Sequence, residues 1–357
     1  MSLNWTPDVI IDLIIGSIFI IGSARLMITA QSKKVKSLKY FYVSWIFASL
    51  FFFLEAISFL YLNTTLAKVA TIMNILTVFF LVLGIDYTLH EKVRAIRMSV
   101  VCFIGGVEIV LAFDQNSIVE STKFGVPTLI WTGLFDIAST SVMSLYIIFL
   151  LYWAFITWRN APPQLKKISF YTIVCIIIMG IITAIFFFIS ATYPEFVLFG
   201  KIALLIGVIV LVFFAIIKPK IFYILPFKAY KLLIVHKKSG VPLFYHQWFA
   251  TELNEDLLSG LISAFQKMSK TILTESEITG VNLTQGKLTF DQTDNVVAGL
   301  ISSKSSQFLK RSLKQFTNEF ERIHKKELIN TVSDTSKFSD ATALIDKYFP
   351  NLPSSNR

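Results

Sequence analysis

Apolar residues crowd into seven long stretches over the first 217 positions of this chain, and from residue 229 onward they alternate with polar ones over shorter periods. A bilayer core about 30 Å thick takes roughly 20 apolar residues in a helix. The pattern predicts spans near 9–29, 39–62, 67–88, 98–113, 127–157, 168–192 and 196–217, the fourth being the shortest. Hydrocarbon leaves a free backbone group unsatisfied, and the period-2 alternation of barrel strands is missing, so the spanning form is helical.

The tail reads differently. Residues 229 to 236 and 241 to 248 are aromatic and β-branched runs separated by Lys237-Lys238-Ser239-Gly240, which predicts a hairpin. Asn254, Glu255 and Asp256 cap a predicted helix whose apolar positions run from Leu257 to Ile272 at helical spacing. Three short strands are expected at 278–283, Lys287–Asp291 and Asn295–Ser302. A long amphipathic helix over about Ser305–Leu328 and a last helix over about Ser339–Phe349 complete the domain.

Charge sets the expected orientation. The loops after the first, third, fifth and seventh spans carry Lys33, Lys34, Lys36 and Lys39, then Lys92, Arg94 and Arg97, then Arg159, Lys166 and Lys167, then Lys218, Lys220, Lys228 and Lys231. The alternate side offers Lys68 and Lys123. By the positive-inside rule the amino terminus lies outside and the tail in the cytoplasm of a cell membrane. The formal charge of +10 then reflects topology and contact with anionic lipid, with no call for a nucleic-acid partner. The segment Lys218–Lys231 mixes cations with aromatics between Pro219 and Pro226. It is expected to lie among headgroups, residues 218–228 forming an interfacial linker between a membrane domain, 1–217, and a cytosolic domain, 229–357.

Several function classes lose support. MSLNWTPDV lacks a basic region, so the first span is expected to be a permanent helix. Cys102 and Cys175 both fall in spans and form no disulfide framework or zinc site. Asn63-Thr64-Thr65 matches a glycosylation sequon that is common by chance. Gly280–Lys287, GVNLTQGK, has five residues between its glycines where a phosphate loop needs four, and Leu288 stands in place of the Ser/Thr. His324 is followed by too little chain for a kinase, and His236 and His246 lack metal-site spacing. The expectation is a protein without catalytic residues, cofactor or metal.

Candidate chemistry therefore rests on ionisable groups inside the spans, where a charge is expensive and usually has a partner or a cavity. Glu55, Glu108, Asp136 and Lys201 fall at similar depth on four helices, whereas Asp8 and Asp12, and Arg25 and Asp86, read as interfacial. The four suggest a pocket for a cationic or zwitterionic ligand, or for a proton; the competing reading is that they only lock helices together. Lys201 lies too near its helix end for a retinal Schiff base, and the third span has only Asn74 and Asp86 to offer as counter-ion. Transport fits less well, since no repeat is evident and no proline interrupts a span.

The tail's element order, together with VVAGLISSKSSQFLKRSLKQFTNEFERIHKKEL (residues 296 to 328), resembles the longin and roadblock-like fold from Tyr230 to Phe349. That resemblance implies an α+β adaptor domain, a five-stranded sheet with flanking helices that dimerises, docks peptides or serves small GTPases and other cytosolic signalling proteins. Its place after a membrane domain is a departure, because longin domains commonly come first. By topology alone, the amino-terminal part is similar to seven-helix sensory modules of prokaryotes. The sequence thus predicts an α-helical membrane bundle plus an α+β tail, acting as a receptor or scaffold, with a passive anchor or an ion-coupled transporter as alternatives.

Overall fold

The computed structural model describes residues 3–33, 35–123, 126–161, 163–190, 192–193, 195–223, 228–248, 260, 280–283, 286–304, 306–329 and 336–349. The chain divides into two compact units, Met1–Pro226 and Phe227–Arg357. Apart from residue 260, which is helical, the helix expected over 254–272 lies outside the described residues, as do residues 224–227 of the linker.

Seven helices are each long and apolar enough to cross a bilayer: α1 (Pro7–Ser32), α2 (Ser37–Tyr61), α3 (Thr64–His90), α4 (Ala95–Ala112), α5 (Gly133–Asn160), α6 (Gln164–Ile189) and α7 (Phe196–Ile217). Helices cannot associate in lipid through the hydrophobic effect, so close packing and interhelical hydrogen bonds must do it. The Ser49 hydroxyl donates to Gly16 O at 2.8 Å and Ser44 to Thr77 O at 2.8 Å, joining α2 to α1 and α3. Thr183 donates to Gly200 O at 3.3 Å, joining α6 to α7. At Gly207 of α7 a Cβ would stand 2.6 Å from Met179 Cβ, inside the single π turn of α6, Ile178–Ile182. Glycine is what permits that approach.

The fifth helix starts later than the apolar run suggests. Residues Ile118–Lys123 (β1) and Val126–Trp131 (β2) form an antiparallel hairpin, so positions 127–131 are strand and not the first turns of a span. Val126, Thr128 and Ile130 are β-branched and the pattern suits a half-buried strand. Ile118 and Leu129 bury against Ala67, Ala112 and Phe135. Asn4 Nδ2 donates to Pro127 O at 2.9 Å and to Phe59 O at 3.2 Å, tying the first residues to the hairpin and to α2.

At the other end of the bundle, a short 3-10 turn, Pro219–Tyr223, follows α7. Within this stretch, expected to lie among headgroups, Ile221, Phe222 and Tyr223 are buried against the bundle. The Phe222 ring lies 5.0 Å from Trp153 of α5, and 5.4 and 5.6 Å from Trp45 and Phe41 of α2, centroid to centroid. Edge-on and stacked aromatic contacts of this kind stabilise beyond the area they bury.

The tail contains a five-stranded antiparallel sheet in the order β4-β3-β7-β6-β5, with β3 Ala229–His236, β4 Pro242–Gln247, β5 Gly280–Leu283, β6 Gly286–Gln292 and β7 Val296–Ser302. Gly240, at φ 74°, makes the β3–β4 turn. The period of two divides β3 between faces: Leu232 and Ile234 join one core, Leu233 and Val235 the other. The first core is closed by α8 (Gln307–Ile323), which Ser306 caps by accepting from Leu309 N–H at 3.3 Å. Leu309, Leu313, Phe316 and Phe320 form its buried stripe. Short helices α9 (Lys325–Ile329) and α10 (Thr342–Tyr348) follow.

Phe222→Ala is expected to destabilise the bundle by about 3–5 kcal/mol, the range for emptying a buried aromatic site, seen as an earlier thermal transition in the fluorescence of Trp45 and Trp153. In the tail, hydrogen bonds from Arg322 (2.9 Å twice) and then Lys347 (3.2 Å) hold the Glu319 carboxyl below its ordinary value. A lowered carboxylate stabilises the fold above its ordinary titration range and loses that contribution as pH falls through the folded value. Hydrogen exchange at the α8 and α10 amides, corrected for intrinsic rates, should therefore quicken on acidification, and Glu319→Gln should flatten the response.

Candidate functional site

The polar groups of the bundle fall into separate centres. At the tail end, Asp86 of α3 is fully buried and accepts from Arg97 Nη1 at 2.7 Å and from the Arg94 N–H at 2.8 Å. Arg97 Nη2 donates to Tyr152 Oη at 2.9 Å, and its guanidinium carbon stands 4.5 Å from that ring. Both carboxylate oxygens are satisfied, and α3, α4 and α5 are joined. Asp86, expected at interfacial depth from its sequence position, forms a closed structural lock of the kind buried charges form when fully paired.

The second centre lies near the amino-terminal end. Lys201 of α7 reaches Asp12 of α1 at 2.5 Å, with Lys201 8 % and Asp12 0 % exposed. Asp12 Oδ1 is buried without a hydrogen bond, and the Lys201 ammonium lies 5.4 Å from the Phe59 ring centre. Glu55 of α2 faces the pair at electrostatic range, with Asp8 beyond. Two buried or half-buried acids thus share one base, with one carboxylate oxygen left over. Such incomplete pairing is where a buried polar group calls for an explanation.

The structure therefore brings Glu55 and Lys201 together and adds Asp12, a residue that position alone marks as interfacial. Helix rise carries the missing signal. Asp12 lies five residues into α1 and Lys201 five into α7, each about 7.5 Å from its helix start, and Glu55 about 9 Å from the end of α2.

The two other candidates, Glu108 on α4 and Asp136 on α5, lie in different surroundings. Glu108 is 1 % exposed and neither of its oxygens has a hydrogen bond. The Ser139 side chain is the polar group opposite it, without hydrogen-bond geometry. Asp136, three residues into α5, is exposed and lines an open groove of about 430 Å³ with Thr140, Ser141, Ser144 and the aliphatic Ile104 and Ile148.

The expected membrane-surface cations divide as well. Lys218 and Lys220 are exposed beyond α7, and Lys228 is exposed where it leads into β3. Lys231 is not a surface group: it is 4 % exposed on β3, its ammonium 5.6 Å from the Tyr245 ring centre. Strand alternation puts it on the same sheet face as Leu233 and Val235. Among the described residues, no cluster of three or more His, Cys, Asp or Glu could hold a metal ion.

Compared with known proteins, the chain matches no protein family, no curated relative and no solved structure.

The Asp12–Lys201 pair yields a double-mutant test. Lys201→Met leaves Asp12 buried without its base and is expected to cost about 3–5 kcal/mol of bundle stability. Combining it with Asp12→Leu should restore most of that loss in thermal unfolding of the full chain, showing that the two act as a unit.

Proposed function

We propose that this chain is a receptor-like membrane scaffold in which α7 is the output element and the tail is a longin-like adaptor. One observation carries the reading: α7 holds an incompletely satisfied ion pair at one end, through Lys201, and at the other runs directly into the turn whose Phe222 fills an aromatic cage. A ligand or proton that alters the Asp12–Glu55–Lys201 balance changes what holds α7 against α1. The helix then transmits that change to Phe222 and along the backbone into β3. The shift is limited to the difference in affinity for the two packings. With the tail in the cytoplasm, as the lysine and arginine distribution implies, the cluster lies toward the outside.

The adaptor half of the reading is supported by the five-stranded antiparallel sheet with α8 packed on one face. Its partner class is a small GTPase or other cytosolic signalling protein, or a second copy of the tail. A passive anchor would gain nothing from a buried charge pair that hydrophobic residues replace without loss.

Capture of cytosolic proteins by the detergent-solubilised full chain, with GDP or a non-hydrolysable GTP analogue, is expected to show nucleotide-dependent retention of a small GTPase. Glu55→Gln, which leaves the Asp12–Lys201 pair in place, should change that retention several-fold without loss of folded protein. If replacing the seven helices by an unrelated anchor preserves output in cells, the receptor reading fails and the anchor stands.

A further inference from the structure

Charge in the tail is divided between its two ends. Lys228 and Ser303 exchange two hydrogen bonds of 2.8 Å, Lys228 N–H donating to Ser303 Oγ and Ser303 N–H to Lys228 O. The start of β3 and the end of β7 therefore share one end of the domain, together with the start of α8 a few residues on. Exposed cations gather there: Lys228, Lys304 and, on the first turns of α8, Lys310, Arg311 and Lys314.

Acids keep away from that end. The strands β3, β4, β5 and β7 carry none, β6 carries only Asp291 near its far end, and α8 has none before Glu319. Counted from Gln307, the three cations of α8 lie about 5–11 Å along the helix, whereas Glu319 and Glu321 lie about 18–21 Å along it. Glu321 holds the β6–β7 turn through Asn295, which places Asp291 and Asp294 at the opposite end too. Among the described residues, none of Lys304, Lys310, Arg311 and Lys314 forms an ion pair. Cations in a first turn also oppose the helix dipole, which favours acids there. Stability of α8 does not account for their placement.

Chain continuity decides what meets this end. Lys228 follows Ile217, the last residue of α7, by eleven positions, about 36–40 Å at full stretch. A surface on so short a tether meets the bilayer at an effective concentration far above that of a free partner. Anionic headgroups supply the charge that a group of cations without acids attracts.

We propose that the tether end of the tail is a membrane-docking surface, which rests on an anionic bilayer through Lys228, Lys304, Lys310, Arg311 and Lys314. The contact needs neither a small GTPase nor a ligand at Lys201, and it adds the start of α8 to the linker cations as a lipid-facing element.

The test uses the full chain in nanodiscs of phosphatidylcholine alone or mixed with phosphatidylserine. Its lysines are acylated briefly with an amine-reactive ester, and each site is read by mass spectrometry. Lys304, Lys310 and Lys314 are expected to react about fivefold or more slowly in the anionic discs, given the attraction of each cation to such a surface. Lys325 and Lys326, beyond the far end of α8, should react alike in both. High salt should remove the protection. The double variant Lys310→Glu, Arg311→Glu, on exposed positions where the helix dipole favours acids, should remove it at Lys304 and Lys314 without lowering the thermal transition. Equal rates in the two discs, an equal change at Lys325 and Lys326, or protection that survives high salt or the double variant would overturn the proposal. Protection by inorganic phosphate in neutral discs would overturn it in favour of a discrete anion site.

Discussion

Hydrocarbon offers no hydrogen-bond partner, so every polar group carried into these seven helices has to find one inside the protein or remain without. That constraint sorts the bundle's charges. Asp86 is answered in full, by Arg97 and the Arg94 N–H, with Tyr152 holding the arginine in turn. Asp12 is answered by half, and Glu108 by nothing that meets hydrogen-bond geometry. The first kind of site is already at its minimum. The other two are left short of hydrogen-bond partners that a proton or a ligand could supply.

The same constraint explains how the bundle holds together. Serine and threonine hydroxyls cross from helix to helix onto backbone carbonyls, and glycine at 207 lets α7 meet the π turn of α6 closely. Aromatic rings then fill the tail end, with Phe222 between Trp45 and Trp153. A ring so placed couples the end of α7 to α2 and α5 by shape, since a packed core resists continuous deformation and switches between discrete arrangements. In the tail the fixed parts are different. Both faces of β3 are buried, α8 closes one of them, and Glu321 accepts from Asn295 at 2.6 and 3.1 Å to pin the β6–β7 turn to that helix.

Composition and period determined the parts that depend on one segment at a time. Seven apolar runs make seven helices because lipid permits little else, and alternation with a Lys-Lys-Ser-Gly turn makes the β3–β4 hairpin. Four apolar residues at helical spacing mark the buried stripe of α8. Glu55 and Lys201 were legible as candidates because charges inside an apolar run are rare. What the sequence could not supply was anything that needs two segments at once. Positions 127–131 read as span until β1 pairs with them, and Lys231 reads as a surface cation until strand alternation turns it toward Tyr245. Phe222 reads as an interfacial aromatic until α2 and α5 surround it. Asp12 reads as interfacial because its cost is invisible until α1 and α7 pack side by side and bring Lys201, 189 residues away, within 2.5 Å. Local free energies are written in the order of residues, whereas electrostatic partnership depends on distance in space, and only the packed helices decide that distance.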